Sequence, residues 1–324
     1  MDRFKHILGV IDPRGAVGTV LDRALSLARN NQAKLTIVDV VPRMTAGIGM
    51  PDGGPISADL QQAVVADTND RLQQVLAPYR EHMAIQSKVL VGTPFLEIVR
   101  EVLREQHDLV IKTPEDPGWL DRLFGSDDMH LLRKCPCALW LVKQSATEPH
   151  SRILAAVDVG SAHPADELPV RQSLNKKVLE LAVSLSLSGF AELHVANIWQ
   201  AIGENALRSS QIRWPDSEVG AYVETVRQQH ETALDSLMDD VVRLHGRDAV
   251  EYLKPRRHLI KGQARREIPR LVDELDIDLV VMGTVARTGV PGFIIGNTAE
   301  AILEQINCSV LAVKPEGFET PIAL

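Results

Sequence analysis

Cysteine, aromatic side chains and positive charge are all scarce in this 324-residue sequence, and each shortage excludes something. Three cysteines, Cys135, Cys137 and Cys308, are too few and too oddly numbered for a disulfide framework, which agrees with a reducing compartment. An aromatic content of 4% provides no platform for stacking bases. It leaves a core of Val, Leu, Ile and Ala, the usual filling of a parallel sheet covered by helices on both faces. A formal net charge of -8 excludes the broad positive surface that nucleic acid or an anionic membrane would require. No apolar run approaches the ~18 residues needed to cross a bilayer, and the opening "MDRFKHILGVID" has no secretory core ahead of a cleavage site. The expectation is a cytoplasmic protein with no membrane insertion and no nucleic-acid partner. Also missing are a G-x-S-x-G elbow, an H-E-x-x-H helix and a complete Walker loop. No catalytic residue is therefore assigned, and the protein is expected not to be an enzyme.

What is present is a repeat. "KHILGVID" at residues 5–12 returns as "SRILAAVD" at 151–158, each followed by apolar residues at helical spacing. "KLTIVDVVP" (34–42) matches "ELHVANIWQ" (192–200), and each leads through an irregular segment to a long polar helix, expected over residues 59–76 and 221–244. "SKVLVGTPFLEIVREV" (87–102) matches "RRHLIKGQARREIPRLV" (256–272), aligning Gly92 with Gly262. "DLVIKTP" (108–114) matches "DLVVMGT" (278–284), and "CPCALWLVK" (135–143) matches "INCSVLAVK" (306–314). Each half thus alternates strands with helices, which calls for α/β architecture with a parallel sheet and right-handed crossovers. The boundary falls in "KQSATEPHS" (143–151), giving domains at residues 1–146 and 147–324. A tether of about nine residues spans at most ~30 Å, so the two domains are expected to pair. The apolar last strands of the halves would be protected by such pairing.

The "ILxxVD" opening strand, the "DLVVMG" strand and the turn "GNTAEAIL" resemble the universal stress protein family, and the duplication resembles its tandem, E-type members. "MGTVARTG", "LFGSDDMHLLRKCPC" and the ending "KPEGFETPIAL" carry the same resemblance, which covers essentially the whole chain. It implies two flavodoxin-like (adenine nucleotide alpha hydrolase-like) domains, each with a five-stranded parallel sheet, and a cytoplasmic role in stress survival. Nucleotide-binding members of the family carry Gly, two residues, Gly, nine residues, then Gly followed by Ser or Thr. In the second half Gly283 and Gly296 hold the outer positions, Ala286 replaces the middle glycine and Asn297 the final hydroxyl residue. In the first half Lys112-Thr113 replaces the first glycine, Glu115 falls near the second, and only Gly125-Ser126 survives. The aspartate that such members place near adenine and ribose matches Asp12 and Asp158.

A glycine-rich turn feeding a helix holds phosphate through converging backbone N–H groups and the partial positive charge of the helix start. In the second half Ala286 adds only a methyl, Asn297 still donates a hydrogen bond, Thr298 brings a hydroxyl and Arg287 a cation. Residues 254–270 carry seven Lys or Arg and a single acid, and Arg265 and Arg266 fall just beyond the third strand of this half. They either meet an anion or decorate a solvated helix. The ligand-facing set is then Asp158, Ala196, Arg265, Arg266, Met282, Gly283, Ala286, Arg287, Gly296, Asn297 and Thr298. Three readings stay open for it: a nucleotide, with ATP and magnesium as candidates; another anionic or amphipathic small molecule; or a bland turn. In the first half, Glu115 and the proline-rich "TPEDPG" oppose a phosphate, so Asp12, Val38, Thr113, Gly125 and Ser126 mark a degenerate site.

His130, Cys135 and Cys137 lie close in sequence but lack the spacing and ligand number of structural zinc, and Cys137 is expected to be a buried small hydrophobe. His194 and His258 are expected to satisfy local hydrogen bonds in or beside strands. Asp127-Asp128 and Asp239-Asp240 are read as helix caps or solvated faces. The glycine- and proline-rich residues 41–56 are expected to flap over the first site, and residues 202–219 are their counterpart. Together these features point to a non-catalytic tandem protein of stress adaptation. The alternatives are a slow ATP-hydrolysing switch that controls partner binding and a ligand-free interaction scaffold; a homodimer is compatible with all three.

Overall fold

The computed structural model describes residues 4–11, 17–44, 55–81, 83–114, 126–143, 150–160, 162–209, 214–284 and 295–324. The chain forms two compact units. The first holds Met1–Glu148 with the closing Glu319–Leu324, and the second Pro149–Val290 with Ile294–Phe318.

In the first unit the strands are β1 (His6–Val10), β2 (Lys34–Val41), β3 (Ile85–Val91), β4 (Leu109–Lys112) and β5 (Ala138–Leu141), all parallel, in the order β3-β2-β1-β4-β5. The helices between them are α1 (Val17–Asn31), α2 (Pro55–Arg80), α3 (Pro94–Glu105) and α4 (Asp127–Lys134). The second unit repeats this plan with β6 (Arg152–Val157), β7 (Glu192–Trp199), β8 (Arg256–Lys261), β9 (Leu279–Gly283) and β10 (Ser309–Val313), in the order β8-β7-β6-β9-β10. Its helices are α5 (Leu168–Gly189), α6 (Glu204–Leu207), α7 (Asp216–His245), α8 (Arg247–Leu253), α9 (Ala264–Glu274) and α10 (Asn297–Leu303).

β4, β5 and β10 are buried at every residue and apolar except for Lys112 and Ser309, as strands covered on both faces are. On α5, Leu174, Val178, Leu181 and Ala182 recur at helical spacing and are buried, as the repeat pattern anticipates. The strand order reverses between β1 and β4 in one unit and between β6 and β9 in the other. In open parallel sheets a crevice forms at the carboxyl ends where the order switches, and ligands bind there.

Two elements go beyond the sequence expectation. The short α6 falls within the irregular segment after β7. α8 follows α7 because Gly246 at φ 88° breaks the helix and the chain at once resumes a second one. The long polar helices also start earlier and end later than expected, at Pro55–Arg80 and Asp216–His245.

At the amino end of the first sheet, the His6 and His107 rings lie 3.8 Å apart. Burial, followed by the neighbouring His6, lowers the His107 pKa from 6.5 to about 4. The folded state therefore binds a proton less readily than the unfolded chain. As the pH falls from about 6.5 to about 4, protons favour the unfolded chain and stability is lost; below about 4 this contribution levels off. His107→Leu is expected to flatten the acid limb of stability in that window, as measured by urea unfolding at a series of pH values.

Candidate functional site

A cavity of about 640 Å³ opens at the carboxyl ends of the second sheet, at its switch point. The ends of β6, β7 and β9 supply its floor through Ala156, Val157, Ile198, Trp199 and Met282, and α5, α9 and α10 close it with Leu174, Ile268 and Ile302. Its polar lining comes from Asp158, His163, Arg171, Asn175, His230, Gln263, Arg265, Thr284, Asn297 and Thr298.

Asp158 follows β6 directly and is the hub of this lining. Asn175, buried on α5, accepts from the Asp158 N–H at 3.0 Å and donates to the Asp158 carbonyl at 2.6 Å, tying strand end to helix. The Asp158 carboxylate accepts from Arg171 Nη1 at 3.1 Å and from the Gly160 N–H at 3.3 Å, and it lies 3.0 Å from His163 Nε2. Arg171 also reaches Glu167 at 3.2 Å. Behind this cluster His230 Nδ1 lies 2.9 Å from Asn197 Oδ1, and the Asn197 amide donates to the Val157 carbonyl at 3.1 Å. Burial holds His230 below its ordinary pKa, so it is neutral at pH 7.

Arg265 stands at the first turn of α9, where Pro269 has a structural consequence. Proline has no N–H to return to the carbonyl four residues earlier, which is that of Arg265. The Gln305 side chain fills the gap, donating to the Arg265 carbonyl at 3.0 Å, while Arg265 Nε donates to Gln263 Oε1 at 3.1 Å. Arg256, Arg257, Lys261 and Arg270 of the same basic run pair with Glu192, Asp235, Glu204 and Glu267. Much of the run is therefore a solvated, ion-paired face. Among the described residues Arg265 and Arg266 form no salt bridge.

The structure brings Asp158, Arg265, Met282, Gly283, Gly296, Asn297 and Thr298 of the expected set to one cavity. Ala196 and Arg266 do not line it. Ala196 is fully buried within β7, whose end presents Ile198 and Trp199 instead, and Arg266 is turned one residue off the helical face that carries Arg265 and Ile268. Ala286 and Arg287 lie outside the described residues. Gly283 has a packing reason of its own: a Cβ there would come within 2.6 Å of Leu174 Cδ2. Sequence reasoning missed Arg171, His163, Asn175 and His230. The available signal was distance along the chain from Asp158: Arg171 and Asn175 lie four apart on the helix that follows it.

Among the described residues at the corresponding strand ends of the first unit, two side chains pair with each other. Lys112, at the end of β4, forms an ion pair with Asp128, and both are buried. Asp128 was read with Asp127 as a cap or solvated carboxylate; it is neither, because the lysine at the strand end draws it inward. The cap is Ser126, whose Oγ accepts from the Met129 N–H at 3.2 Å. A carboxylate therefore already occupies the electropositive start of α4. Val38 is fully buried in β2 and Thr113 half-buried, while Asp12, Gly125, Glu115 and residues 45–54 of the flap expected over 41–56 lie outside the described residues; the flap's first residue ends β2 and its last two open α2. His194 and His258, expected to satisfy local hydrogen bonds, do so with each other, Nδ1 to Nε2 at 2.9 Å across β7 and β8. Cys137 departs from expectation: it is half-buried, and Cys135 is the fully buried thiol.

The model of the universal stress protein family matches residues 3–143 and again residues 151–314. Universal stress protein E of Salmonella typhi is 29% identical over 331 residues, spanning 100% of this chain and 98% of its own. Universal stress protein E of Escherichia coli K12 gives the same identity over 332 residues. Among solved structures, a putative universal stress protein from Pseudomonas aeruginosa UCBPP-PA14 superposes with a TM-score of 0.68 at 26% identity, covering 97% of this chain and 95% of that one. No helix among the described residues is long and apolar enough to cross a membrane.

Proposed function

Because the chain belongs to the universal stress protein family, with two tandem copies of its domain, we propose that it acts in stress adaptation as a non-catalytic binding protein whose second domain holds an anionic small molecule with an apolar body. A nucleotide is one member of that class. The observation that carries this reading is the cavity at the second switch point, where an apolar floor that includes Trp199 meets two arginines, Arg171 and Arg265. An apolar floor contributes affinity through burial, and guanidinium groups orient an anion through bidentate hydrogen bonds.

The site differs from a plain nucleoside pocket in one respect. Asp158, the carboxylate positioned for a ribose, is engaged by Arg171 and His163, so a sugar hydroxyl has to compete with two existing partners. An anionic group meets Arg171 already paired with Asp158 and Glu167, so Arg265, which forms no salt bridge among the described residues, is the cation placed to take it first. Gly296, Asn297 and Thr298 remain available on the facing wall. The first domain, where Lys112 pairs with Asp128, serves in this reading as a structural partner without a ligand.

The test is identification of small molecules released on denaturing protein purified without added ligand, followed by calorimetry with the molecule found and with ATP and magnesium. Arg265→Ala is expected to weaken binding by about tenfold or more, the scale of one hydrogen bond to a charged group. Its stability should change little, because the side chain is exposed and makes no salt bridge among the described residues. A slow ATP-hydrolysing switch requires a copurifying adenine ligand and a binding heat for ATP with magnesium. Absence of both removes it.

A further inference from the structure

The amino end of the first sheet carries chemistry of its own, at the opposite end of the strands from the switch-point rim of that unit. α4 ends at Cys135, whose N–H donates to the Leu131 carbonyl at 2.9 Å, and β5 begins three residues later at Ala138. Cys135 leaves the helix in an extended conformation (φ -66°, ψ 126°) and Pro136 follows it. Residues two apart on extended chain point to the same side, so the two thiols converge. Their sulfurs stand 3.5 Å apart. Cys135 is buried and Cys137 half-buried.

The duplication supplies an internal control. Ile306-Asn307-Cys308 occupies the same junction between α10 and β10, with Ile306 fully buried. Packing here is satisfied by an aliphatic side chain, and Cys308 has no thiol two residues before it. The second sulfur of the first domain is therefore not something the fold demands.

Oxidation to a disulfide would need the sulfurs to close to about 2.05 Å. Chelation asks for no such movement. With sulfur–ion bonds of about 2.3 Å, the observed 3.5 Å separation subtends about 100° at a shared centre, between a right angle and the tetrahedral value. We propose that Cys135 and Cys137 form a chelating dithiol site for a soft three-coordinate ion that takes its third ligand from outside, of the trivalent arsenic or trigonal Cu(I) class; the near-linear two-coordinate geometry does not fit this angle. Among the described residues no group of three or more His, Cys, Asp or Glu is placed to hold a metal, so zinc, which takes four ligands, is not served. Capture breaks two S–H bonds and forms two sulfur–ion bonds, releasing both protons. With an organoarsenic oxide, the arsenic-bound oxygen leaves with those protons as water.

The test uses reduced full-length protein and phenylarsine oxide, read by intact-protein mass spectrometry, with anaerobic Cu(I) titration against a chromogenic chelator as a second arm. Wild type and Cys308→Ser should each take up one equivalent that resists a monothiol wash and leaves with a dithiol. Cys135→Ile, which installs the second domain's own residue, and Cys137→Ser should hold either probe about a hundredfold more weakly, the scale lost when a two-point attachment becomes one. Thermal unfolding shows whether each variant is folded, and because the two differ in bulk, a defect in one leaves the other decisive. The proposal is overturned if wild type takes up neither probe, if a folded Cys135→Ile or Cys137→Ser variant keeps wild-type affinity, or if Cys308→Ser loses it.

Discussion

Asp128→Ala is expected to destabilise the protein by about 3–5 kcal/mol, the range for removing one partner of a buried ion pair and leaving the other charge without it. Lys112 is 7% exposed and Asp128 3%, so water cannot replace the lost carboxylate without opening the rim. The two halves indicate how to separate the value of the pair from the cost of breaking it. Lys112 corresponds to Met282, and Asp128, counted back from the cysteines that align, corresponds to Ala299. The double substitution Lys112→Met with Asp128→Ala therefore installs the apolar combination that the second domain already buries. It should return stability to within about 1 kcal/mol of wild type, because well-packed apolar groups commonly match a buried pair once both charges are gone. Urea unfolding of the wild type, both single variants and the double variant gives the coupling energy directly. Equal losses in Asp128→Ala and the double variant would show that the ion pair does not govern this rim.

The second large effect is expected at Asn175. Asn175→Leu keeps the side-chain size but strands the Asp158 N–H and carbonyl that the amide now satisfies. A fully buried backbone group left without a partner costs about 1–3 kcal/mol, and these two are only part-buried, so a loss of about 1–3 kcal/mol is expected for both together. Asn175→Asp retains an acceptor for the N–H but turns a carboxylate oxygen toward the carbonyl, and should fall between wild type and Asn175→Leu. Ligand binding should suffer in both, because the amide fixes the strand end from which the Asp158 carboxylate engages Arg171 and His163. Arg265→Ala, by contrast, should reduce binding with almost no change in the unfolding midpoint. Measuring affinity and urea midpoint on the same variants distinguishes a positioning residue from a contact residue.

The architecture was readable because its causes are local and repeated. Strands buried on both faces leave apolar runs, helices on a sheet leave a stripe at helical spacing, and every landmark occurs twice in the same order. The second-half glycines were readable as a site, but only one of their two roles was. Gly283 lines the cavity and also admits Leu174, a contact between residues more than a hundred positions apart that no spacing announces. The basic run misled in part for a similar reason. Arg256, Arg257 and Lys261 find carboxylates on β7, α7 and α6, so the number of cations in the segment says little about how many face a ligand.

By itself, the sequence determined that this is a duplicated α/β chain of the universal stress protein type, with the family's glycine spacing better kept in the second half than in the first. Periodicity and motif spacing are properties of neighbouring residues, so they survive without coordinates. Only the tertiary structure decided that Arg171 and His163 hold Asp158, that Asn175 anchors it, that Lys112 and Asp128 pair with each other in the first unit, and that two thiols face each other at 3.5 Å. Those facts are distances between side chains, fixed by how helices settle on sheets, and a linear pattern does not encode them.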